Sequence, residues 1–318
     1  MSASSKIVFS PKYDLLPNGF GKLHPFDVRK YSRAWSELEK QCTSVLASKW
    51  LQPERPVQDD VLLNVHTPQY IESLTSSSNI AGIIEVNVAK YLPYKILDKY
   101  ILQPMKFACE GTRLATEYAL DNNTMVMNMG GGYHHAFADH GEGFCVYADA
   151  AVAIADARQR QALDTSDKVL MIDLDAHRGN GFNAIAEQDE AIEVYDMYNF
   201  QAYPGMHNGD VDQYPYMIPL KSRMSGETYL KILKEELPKF LENEGKAKLV
   251  FYNAGTDILN GDRLGNLAVE FAAVVERDRY VIELLKSKGI PTVIMTSGGY
   301  TKESYQLVAK QAAMVIDD

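Results

Sequence analysis

A chain of 318 residues is long enough to bury a substantial core, as one large α/β domain or as two smaller domains. Hydrophobic residues make up 46% of the chain and charged residues 23%, which is the composition of an ordinary globular protein. The net charge of −10 at pH 7 excludes bulk electrostatic attraction to nucleic acids or anionic membranes, so we expect no direct nucleic-acid binding.

The first part of the chain alternates strand and helix patterns. Residues 6–10 predict a strand, and an amphipathic helix is predicted from about Asp27. The strand-then-helix pattern repeats over residues 61–74, where Thr67 is the expected N-cap and Pro68 the first helical position.

The pattern weakens over residues 76–101, where we expect a polar loop and a short apolar run. Two histidines in this half of the chain are expected to be structural. His24 precedes a proline and suits a turn or cap, and His66 suits a packing role more than a place facing a cleft.

The alternation continues to the end of the chain. Further helices are predicted over residues 107–120, from about Val146, over 182–187, 228–245 and 272–289, and at the C-terminus. Further strands are predicted over residues 124–129, 169–172, 191–198, 248–259 and 291–300, with a loop over 199–218. No hairpin turn joins neighbouring strands, and no linker divides the chain. The prediction is an α/β fold with one parallel sheet flanked by helices, in a single domain over residues 1–318.

The cysteines and the N-terminus indicate where the protein resides. Cys42, Cys109 and Cys145 show no C-x-x-C spacing and cannot all pair with one another, which fits a reducing compartment. Residues 1–10 do not resemble a signal peptide, and no window reaches the ~18–20 apolar residues of a membrane span. We expect an intracellular protein, cytoplasmic or nuclear if eukaryotic, with no membrane span.

The stretch KVLMIDLDAHRGNG, residues 168–181, predicts a metal site. Asp173, Asp175 and His177 alternate at the end of a buried strand, so their side chains face one side, at the sheet edge where α/β proteins bind ligands. Asp257, after another apolar strand, can supply a second carboxylate to a divalent ion such as zinc and leave one coordination position open. The alternative is that these aspartates cap helices and that the histidine is nearby by chance.

Two further loops carry groups suited to acid–base chemistry. Adjacent His134 and His135 follow three glycines, which allow close approach of a small ligand. No G-K-S/T and no G-x-G-x-x-G pattern follows, which disfavours a nucleotide. Tyr300 follows two glycines at a strand end and can donate to a developing oxyanion. A buried tyrosine with a single hydrogen bond is the alternative. All these loops follow strands, so a parallel sheet would place them on one rim.

In this order the loops resemble the histone deacetylase family, whose fold is arginase-like. The resemblance rests on G-F-C at residues 143–145, D-L-D-A-H at 173–177, T-D-I-L-N-G-D at 256–262 and S-G-G-Y at 297–300. The variants LHPFD, FCVYAD, DAHRGNG, DMYNFQAYPG, YNAGTDILNGDRLG and TSGGY are most similar to class IV, the group of histone deacetylase 11. The similarity spans nearly the whole chain and implies a three-layer arginase/deacetylase-like domain.

The resemblance also implies two cation sites. One zinc ion would be bound by Asp175, His177 and Asp257. A structural potassium ion behind it would be held by Asp173 and by backbone groups near Asp175, His177 and Met197.

The same resemblance implies roles around the zinc. His134 and His135 would flank the attacking water, and Tyr300 would polarise the acyl carbonyl. The Gly143 carbonyl would accept a hydrogen bond from the scissile amide. Phe144 and Tyr203 would form the walls of a tunnel for the lysine stem.

One departure from class I concerns the histidine pair. That class has a carboxylate where this chain has Asn180, so the expected pairings are His134 with Asp173 and His135 with Asn180. A carboxylate neighbour favours the imidazolium form and an amide does not. We therefore predict that His135 is the general base and later the general acid, and that His134 acts electrostatically.

The leading prediction is a zinc-dependent lysine deacylase acting on acylated lysine of proteins or peptides, with long fatty acyl groups preferred, as the class IV resemblance implies. The alternative is a small-molecule amidohydrolase such as an acetylpolyamine deacetylase. Dimetal arginase chemistry is disfavoured, because Gly179 and Asn180 stand where a further carboxylate would be needed. A catalytically silent acyl-lysine binder is disfavoured by the competent residues at every site position. Neither Glu85 nor Asp98 is assigned to the acidic rim residue that many family members have.

Overall fold

The computed structural model describes residues 4–15, 27–205 and 216–317, so His24 and half of the predicted loop over 199–218 lie outside the described residues. The strands in these ranges are β1 (Lys6–Val8), β2 (Trp50–Leu51), β3 (Met125–Asn128), β4 (Val169–Asp173), β5 (Ile192–Asn199), β6 (Tyr216–Leu220), β7 (Leu249–Asn253) and β8 (Thr292–Met295). The α-helices are α1 (Lys30–Lys49), α2 (Asp59–Leu62), α3 (Pro68–Ser73), α4 (Ser77–Ile83), α5 (Tyr94–Leu97), α6 (Gln103–Asn122), α7 (Asp149–Gln159), α8 (Asn180–Ala186), α9 (Gly226–Asn243), α10 (Phe271–Lys288) and α11 (Ser304–Ile316).

Within the described ranges, eight strands form one sheet in the order β2-β1-β3-β8-β7-β4-β5-β6. Every neighbouring pair is parallel. The predicted α/β fold, a parallel sheet flanked by helices, is confirmed. The register places Asp173 opposite both Asn253 and Asp196, so β4 and β7 end at the same level, whereas β5 continues to Asn199.

The sheet is buried on both faces, as a continuous apolar strand sequence requires. In β4, Leu170 and Ile172 belong to one core cluster and Val169 and Met171 to the other. Buried side chains of α1, α9, α10 and α11 join the first cluster, and most of those of α7 and α8 join the second. The core therefore has a helical layer on each side of the sheet.

Sequence predictions of secondary structure are wrong in three places, of which the first two lie over residues 61–66 and 216–218. Residues 61–66 were expected to form a strand, but α2 and the following turns occupy them, and His66 N donates to Leu62 O at 2.8 Å. The acidic first turn of α2, at Asp59 and Asp60, favours a helix N-terminus. Residues 216–218, expected to be a loop, belong to β6, which gains its structure from pairing with β5.

Other predictions hold with local adjustments. Thr67 caps α3 by accepting from Tyr70 N at 3.2 Å, and Pro68 is the first helical residue. His66 is buried and accepts from Ala148 N at 3.1 Å, which is the packing role expected of it. The third wrong prediction is the polar loop with a short apolar run over residues 76–101, which fold into short helical segments, among them α4. None of the helices in the described ranges combines the length and apolarity that a membrane crossing needs.

A buried arginine joins helix α10 to the ends of two central strands. Arg277 is fully buried, and Nη1 donates to Leu174 O at 3.1 Å and to Gly255 O at 2.6 Å. Nη2 donates to Ala254 O at 3.3 Å, and Nε donates to Asp278 at 2.8 Å. One side chain therefore satisfies carbonyls in the loops that follow β4 and β7.

We expect Arg277→Met to lower the free energy of unfolding by about 3–5 kcal/mol, because it leaves buried carbonyls without their donor and the buried Asp278 carboxylate without its cation. Arg279→Met in the same helix changes an exposed arginine and should cost about 0.5 kcal/mol or less. Denaturant unfolding followed by circular dichroism measures both. Equal losses of unfolding free energy in the two variants would contradict the proposed role of Arg277 in holding the loops after β4 and β7.

Candidate metal centre and cavity

The four loops singled out in the sequence follow four strands that are adjacent in the sheet. These strands are β3, β8, β7 and β4, in that spatial order. Since all are parallel, their carboxyl ends meet at one edge, which is where open α/β sheets bind ligands. The shared rim that the sequence predicted is present.

Asp175, His177 and Asp257 converge at this edge. Their side chains are 1%, 5% and 0% exposed, and their ligand atoms lie within 4.8 Å of one another. His177 Nδ1 lies 3.0 Å from Asp175 Oδ1 and 3.0 Å from Asp257 Oδ2. One nitrogen and two carboxylate oxygens therefore surround a common point.

The remaining hydrogen bonds hold these carboxylates in place. Asp175 Oδ2 accepts from Gly298 N at 2.9 Å, and Asp257 Oδ1 accepts from Ala176 N at 2.9 Å. Asp257 Oδ2 is buried and accepts no hydrogen bond. Because burying an unpaired carboxylate oxygen is costly, this orphaned atom facing a nitrogen ligand fits a cation at the centre.

The electrostatics of the cluster favour added positive charge. Burial and the neighbouring Asp175 charge raise the pKa of Asp257 to about 7. Burial opposes ionisation of His177, but its close contacts with the two carboxylates raise its pKa well above the usual value. Two carboxylates at this separation cannot both stay ionised in a low-dielectric site without a counter-charge. The cluster can bind a metal ion.

Glycines leave room for the carboxylates. A Cβ at Gly298 would collide with Asp257 Oδ2, and a Cβ at Gly255 would collide with Asp175 Oδ2. Both positions lie in the loops whose motifs carried the sequence prediction. Any side chain there would displace a proposed ligand.

The two adjacent histidines lie beside the cluster and differ in their partners. Their ring centroids are 4.2 Å apart. His134 Nδ1 lies 2.8 Å from Asp173 Oδ2, and His135 Nδ1 lies 2.7 Å from Asn180 Oδ1. Both hydrogen bonds are those that the sequence led us to expect.

These partners drive the two imidazole pKa values apart. Burial lowers the pKa of His134, but the charges of Asp173 and Asp175 outweigh it and raise the value to about 9. Burial lowers the pKa of His135 well below its usual value, and the positive charges of His134 and His177 lower it further. Near pH 7, His134 is therefore protonated and His135 is neutral.

Asp149, which sequence reasoning did not assign, anchors the histidine loop. Its carboxylate accepts from Gly132 N at 3.0 Å, Tyr133 N at 2.9 Å and Thr112 Oγ1 at 2.6 Å. Gly132 has φ of 81°, which favours glycine. The available signal was the Y-A-D segment at residues 147–149, shortly after G-F-C.

Tyr300 stands on the other side of the cluster. Its ring meets that of His177 edge-on at 6.2 Å, and its backbone N–H donates to Asp262 Oδ2 at 2.8 Å. Burial and the Asp257 and Asp175 charges raise the pKa of the Tyr300 phenol well above its usual value. The phenol is therefore a proton donor throughout the neutral range. Asp262, the last residue of T-D-I-L-N-G-D, is the positioning partner that the sequence left unassigned.

A buried lysine lies behind the S-G-G-Y loop. Lys30 is 0% exposed, and its Nζ donates to Ser297 O at 2.7 Å and to Gly298 O at 3.2 Å. Burial lowers its pKa to about 8, against the pull of Asp257 and Asp175. The sequence offered no signal for it, because a lysine on an amphipathic helix is usually exposed.

Two of the proposed tunnel residues line one cavity together with the histidine pair, and the third contacts one of these histidines. Gly143 and Phe144 line it, and Tyr203, 39% exposed, stacks edge-on against His135 at 5.0 Å between ring centroids. Apolar or aromatic side chains complete the lining, namely Leu15, Tyr31, Tyr133 and Cys145.

Two partly exposed acidic residues lie next to Tyr203, on the side of the cavity that we call its mouth. Burial raises the pKa of Tyr203 above its usual value, and the charges of Glu142 and Glu85 raise it further. Burial also raises the pKa of Glu85, and repulsion by the Glu142 carboxylate raises it further. Glu85 follows α4 with φ of 56°, so its placement depends on a turn that its local sequence did not reveal.

A second acidic pair lies behind the metal cluster. Asp173 stands opposite Asp196 across β4 and β5, and both are buried. Asp196 Oδ2 accepts from Gly179 N at 2.9 Å, whereas Asp196 Oδ1 has no hydrogen-bond partner. Asp196 directly precedes Met197 and was missed in the sequence, because it lies inside an apolar strand.

Comparisons with known proteins agree with this geometry. The histone deacetylase domain matches residues 24–316. A histone deacetylase 2 from Arabidopsis thaliana is 35% identical over 311 residues, covering 95% of this chain and 76% of that protein. An uncharacterized protein from a Picosynechococcus strain is 32% identical over 215 residues, 67% of this chain and 68% of that protein. A histone deacetylase 2 from Oryza sativa subsp. japonica is 25% identical over 261 residues, 77% of this chain and 48% of that protein.

The domain match covers most of the chain, and the resemblance found in the motifs is confirmed at the level of the family. The chain belongs to the histone deacetylase family.

Proposed function

We propose that this chain is a zinc-dependent hydrolase that removes acyl groups from the side-chain amide of lysine in proteins. Membership of the family supports a lysine deacetylase or deacylase in general. The observation that carries the finer proposal is the convergence of Asp175, His177 and Asp257 at the base of a cavity that is lined by Asp175, His135 and Tyr300.

Zinc fits the donor set. It accepts imidazole nitrogen and carboxylate oxygen, and catalytic zinc sites keep three protein ligands and an open position. Asp175, His177 and Asp257 would hold one zinc ion. When bound, zinc would supply the Lewis acidity that polarises the acyl carbonyl and acidifies water.

His135 is the proposed general base and then the general acid. Its ring is neutral near pH 7, and its Nδ1 faces Asn180 Oδ1, so Nε2 can accept a proton from the attacking water. The same nitrogen then protonates the departing lysine amine, and the products are a carboxylate and a free amine. His134, held protonated by Asp173 and Asp175, stabilises negative charge electrostatically.

The other lining groups orient the amide. The Tyr300 hydroxyl donates to the oxygen on which negative charge develops, a contribution worth roughly 10²–10³ in rate at comparable sites. The Gly143 carbonyl accepts from the scissile N–H, and Phe144 and Tyr203 flank the lysine stem. Glu85 at the mouth is suited to accept from the backbone N–H groups of a peptide.

A structural potassium ion is proposed behind the zinc site. Asp173 would hold it with backbone groups near Asp175, His177 and Met197. The orphaned oxygen of Asp196, opposite Asp173, supports a cation there, because two buried carboxylates need a counter-charge.

We also propose that the chain is a class IV enzyme and a single catalytic domain in a reducing intracellular compartment. The three cysteines are free thiols, which supports such a compartment. Leu15, Tyr31 and Tyr133 in the lining of the cavity support a preference for fatty acyl groups over acetyl.

A second candidate function is removal of acetyl groups from polyamines. Glu85 and Glu142 at the mouth would attract a cationic chain, and this observation favours the second candidate.

The substrate class is tested by one peptide bearing acetyl, octanoyl or myristoyl lysine, with acetylspermidine as the alternative substrate. We expect kcat/KM to rise with acyl-chain length and to vanish on chelation. Equal or better turnover of acetyl lysine would reject the fatty-acyl preference. Higher kcat/KM on acetylspermidine than on every peptide would replace the proposed substrate with the second candidate.

The metal ligands are tested by Asp257→Asn, with Asp60→Asn as an exposed control. Loss of a ligand charge should weaken zinc binding and lower kcat/KM by at least about 10²-fold. Metal content after dialysis and initial rates measure the two effects. Full zinc occupancy and activity in Asp257→Asn would exclude Asp257 as a ligand.

The assignment of the base is tested by Asn180→Asp, with Asn64→Asp as a distant control. A carboxylate beside His135 raises the pKa of that imidazole. As the pH falls, His135 therefore becomes protonated, and stops acting as a base, at a higher pH than in the wild type. The acidic limb of the kcat/KM profile should move up by about one unit or more. An unchanged limb would argue against His135 as the base.

A further inference from the structure

Glu142 is held at the cavity mouth by a tight turn. Gly143 and Phe144 have φ of 52° and 65°, and Cys145 N donates to Glu142 O at 2.8 Å, which are the features of a type I′ turn. Phe144 N also donates to Ile83 O at 2.9 Å, which ties the turn to α4. The Glu142 side chain is 32% exposed, but its backbone is fixed.

Asn180 joins Glu142 to His135. Its Nδ2 donates to Glu142 Oε1 at 2.5 Å, and its Oδ1 lies 2.7 Å from His135 Nδ1. An ionised carboxylate can only accept hydrogen bonds, so it must face the NH₂ group of the amide. Glu142 therefore determines which end of the Asn180 amide is turned towards His135.

The orientation of the amide determines the histidine tautomer. Asn180 Oδ1 can only accept, so His135 Nδ1 must carry the ring proton. A neutral imidazole has one N–H, which leaves Nε2 as the proton acceptor. If the amide turned over, its NH₂ group would face Nδ1, the proton would move to Nε2, and His135 could not act as a base through Nε2.

We propose that Glu142 is a positioning residue that, through Asn180, holds His135 in the tautomer a general base requires. This inference rests on the proposed amide hydrolysis. The carboxylate is one residue removed from the ring, so it fixes the tautomer without placing a negative charge against the imidazole. A carboxylate in direct contact with His135 would fix the same tautomer but would also favour the protonated form.

The other neighbours of Glu142 do not replace this contact. His140 Nε2 lies 4.0 Å from Glu142 Oε2, too far for a hydrogen bond, and His140 is half exposed. The Tyr203 hydroxyl lies beside the same carboxylate and packs its ring on His135. Glu142 thus supports His135 from two sides, through Asn180 and through Tyr203.

The test is a mutant cycle in the zinc-loaded protein. Glu142→Ala removes the acceptor and should lower kcat by about 10–100-fold, the usual loss for a hydrogen-bonded partner behind an active-site group. Glu142→Gln keeps an acceptor oxygen and should retain most of the activity. Asp139→Asn removes an exposed charge from the same loop without a bond to Asn180, and should have no effect.

The same changes are then made with Asn180→Asp. In that background the Glu142 carboxylate would face the introduced carboxylate and repel it. Glu142→Ala and Glu142→Gln remove this repulsion, so they should leave kcat unchanged or raise it. A loss of the same size in both backgrounds would show a general structural role and would overturn the proposal. A loss confined to the Asn180 background supports it.

The tautomer itself is read from ¹⁵N NMR of histidine-labelled protein. In the wild type, His135 should carry its proton on Nδ1, and Glu142→Ala should give a mixture of tautomers. An unchanged Nδ1–H tautomer in Glu142→Ala would overturn the proposal even if the rate fell. This measurement needs no substrate, so it remains decisive if the chain proves inactive on acylated lysine and the proposed function fails.

Discussion

Two carboxylates buried side by side at the ends of adjacent strands are the constraint on which the site depends. Asp175 follows β4 and Asp257 follows β7, and both are almost fully buried. In a low-dielectric interior their repulsion is large, so the fold tolerates them only with compensating positive charge and N–H donors. His177, Gly298 N and Ala176 N supply part of that compensation. The oxygen of Asp257 that stays without a donor is where a cation completes it.

Two buried cations extend this compensation into the surrounding fold. Arg277 reaches from α10 to the carbonyls that flank both carboxylates, and Lys30 reaches from α1 to the carbonyls of Ser297 and Gly298. Each of them holds a loop that bears or supports a proposed ligand. Burial of a charged side chain costs free energy of desolvation. Here the hydrogen bonds to several buried carbonyls, which would otherwise lack partners, offset that cost. The helical layer therefore contributes to the site by fixing loop backbones, and the helices do not need to supply ligands.

The parts of this arrangement that the sequence could reveal are those encoded locally. Strand and helix periodicity predicted the parallel sheet, and polar groups directly after apolar strands predicted which loops share its edge. Residues 61–66 and 216–218 were misassigned because apolar content alone does not separate a helical turn from a strand, and an edge strand depends on its neighbour. Glu85, Asp196 and Glu142 were missed for a related reason. Their importance comes from partners far away in sequence, and no local pattern marks them.

The histidine pair shows how small differences in partners separate two chemically identical groups. His134 and His135 are adjacent in sequence, equally buried and 4.2 Å apart, so burial alone would treat them alike. Asp173 places a charge against His134, whereas Asn180 offers His135 only a dipole. The protonated His134 then disfavours a second proton on its neighbour, which strengthens the difference. One ring thus remains a cation while the other remains a base. The amide of Asn180 can rotate and present either its oxygen or its NH₂ group to His135, whereas both oxygens of an aspartate are acceptors. This division of roles therefore requires a further group that holds the amide in one orientation, and Glu142 is placed to do so.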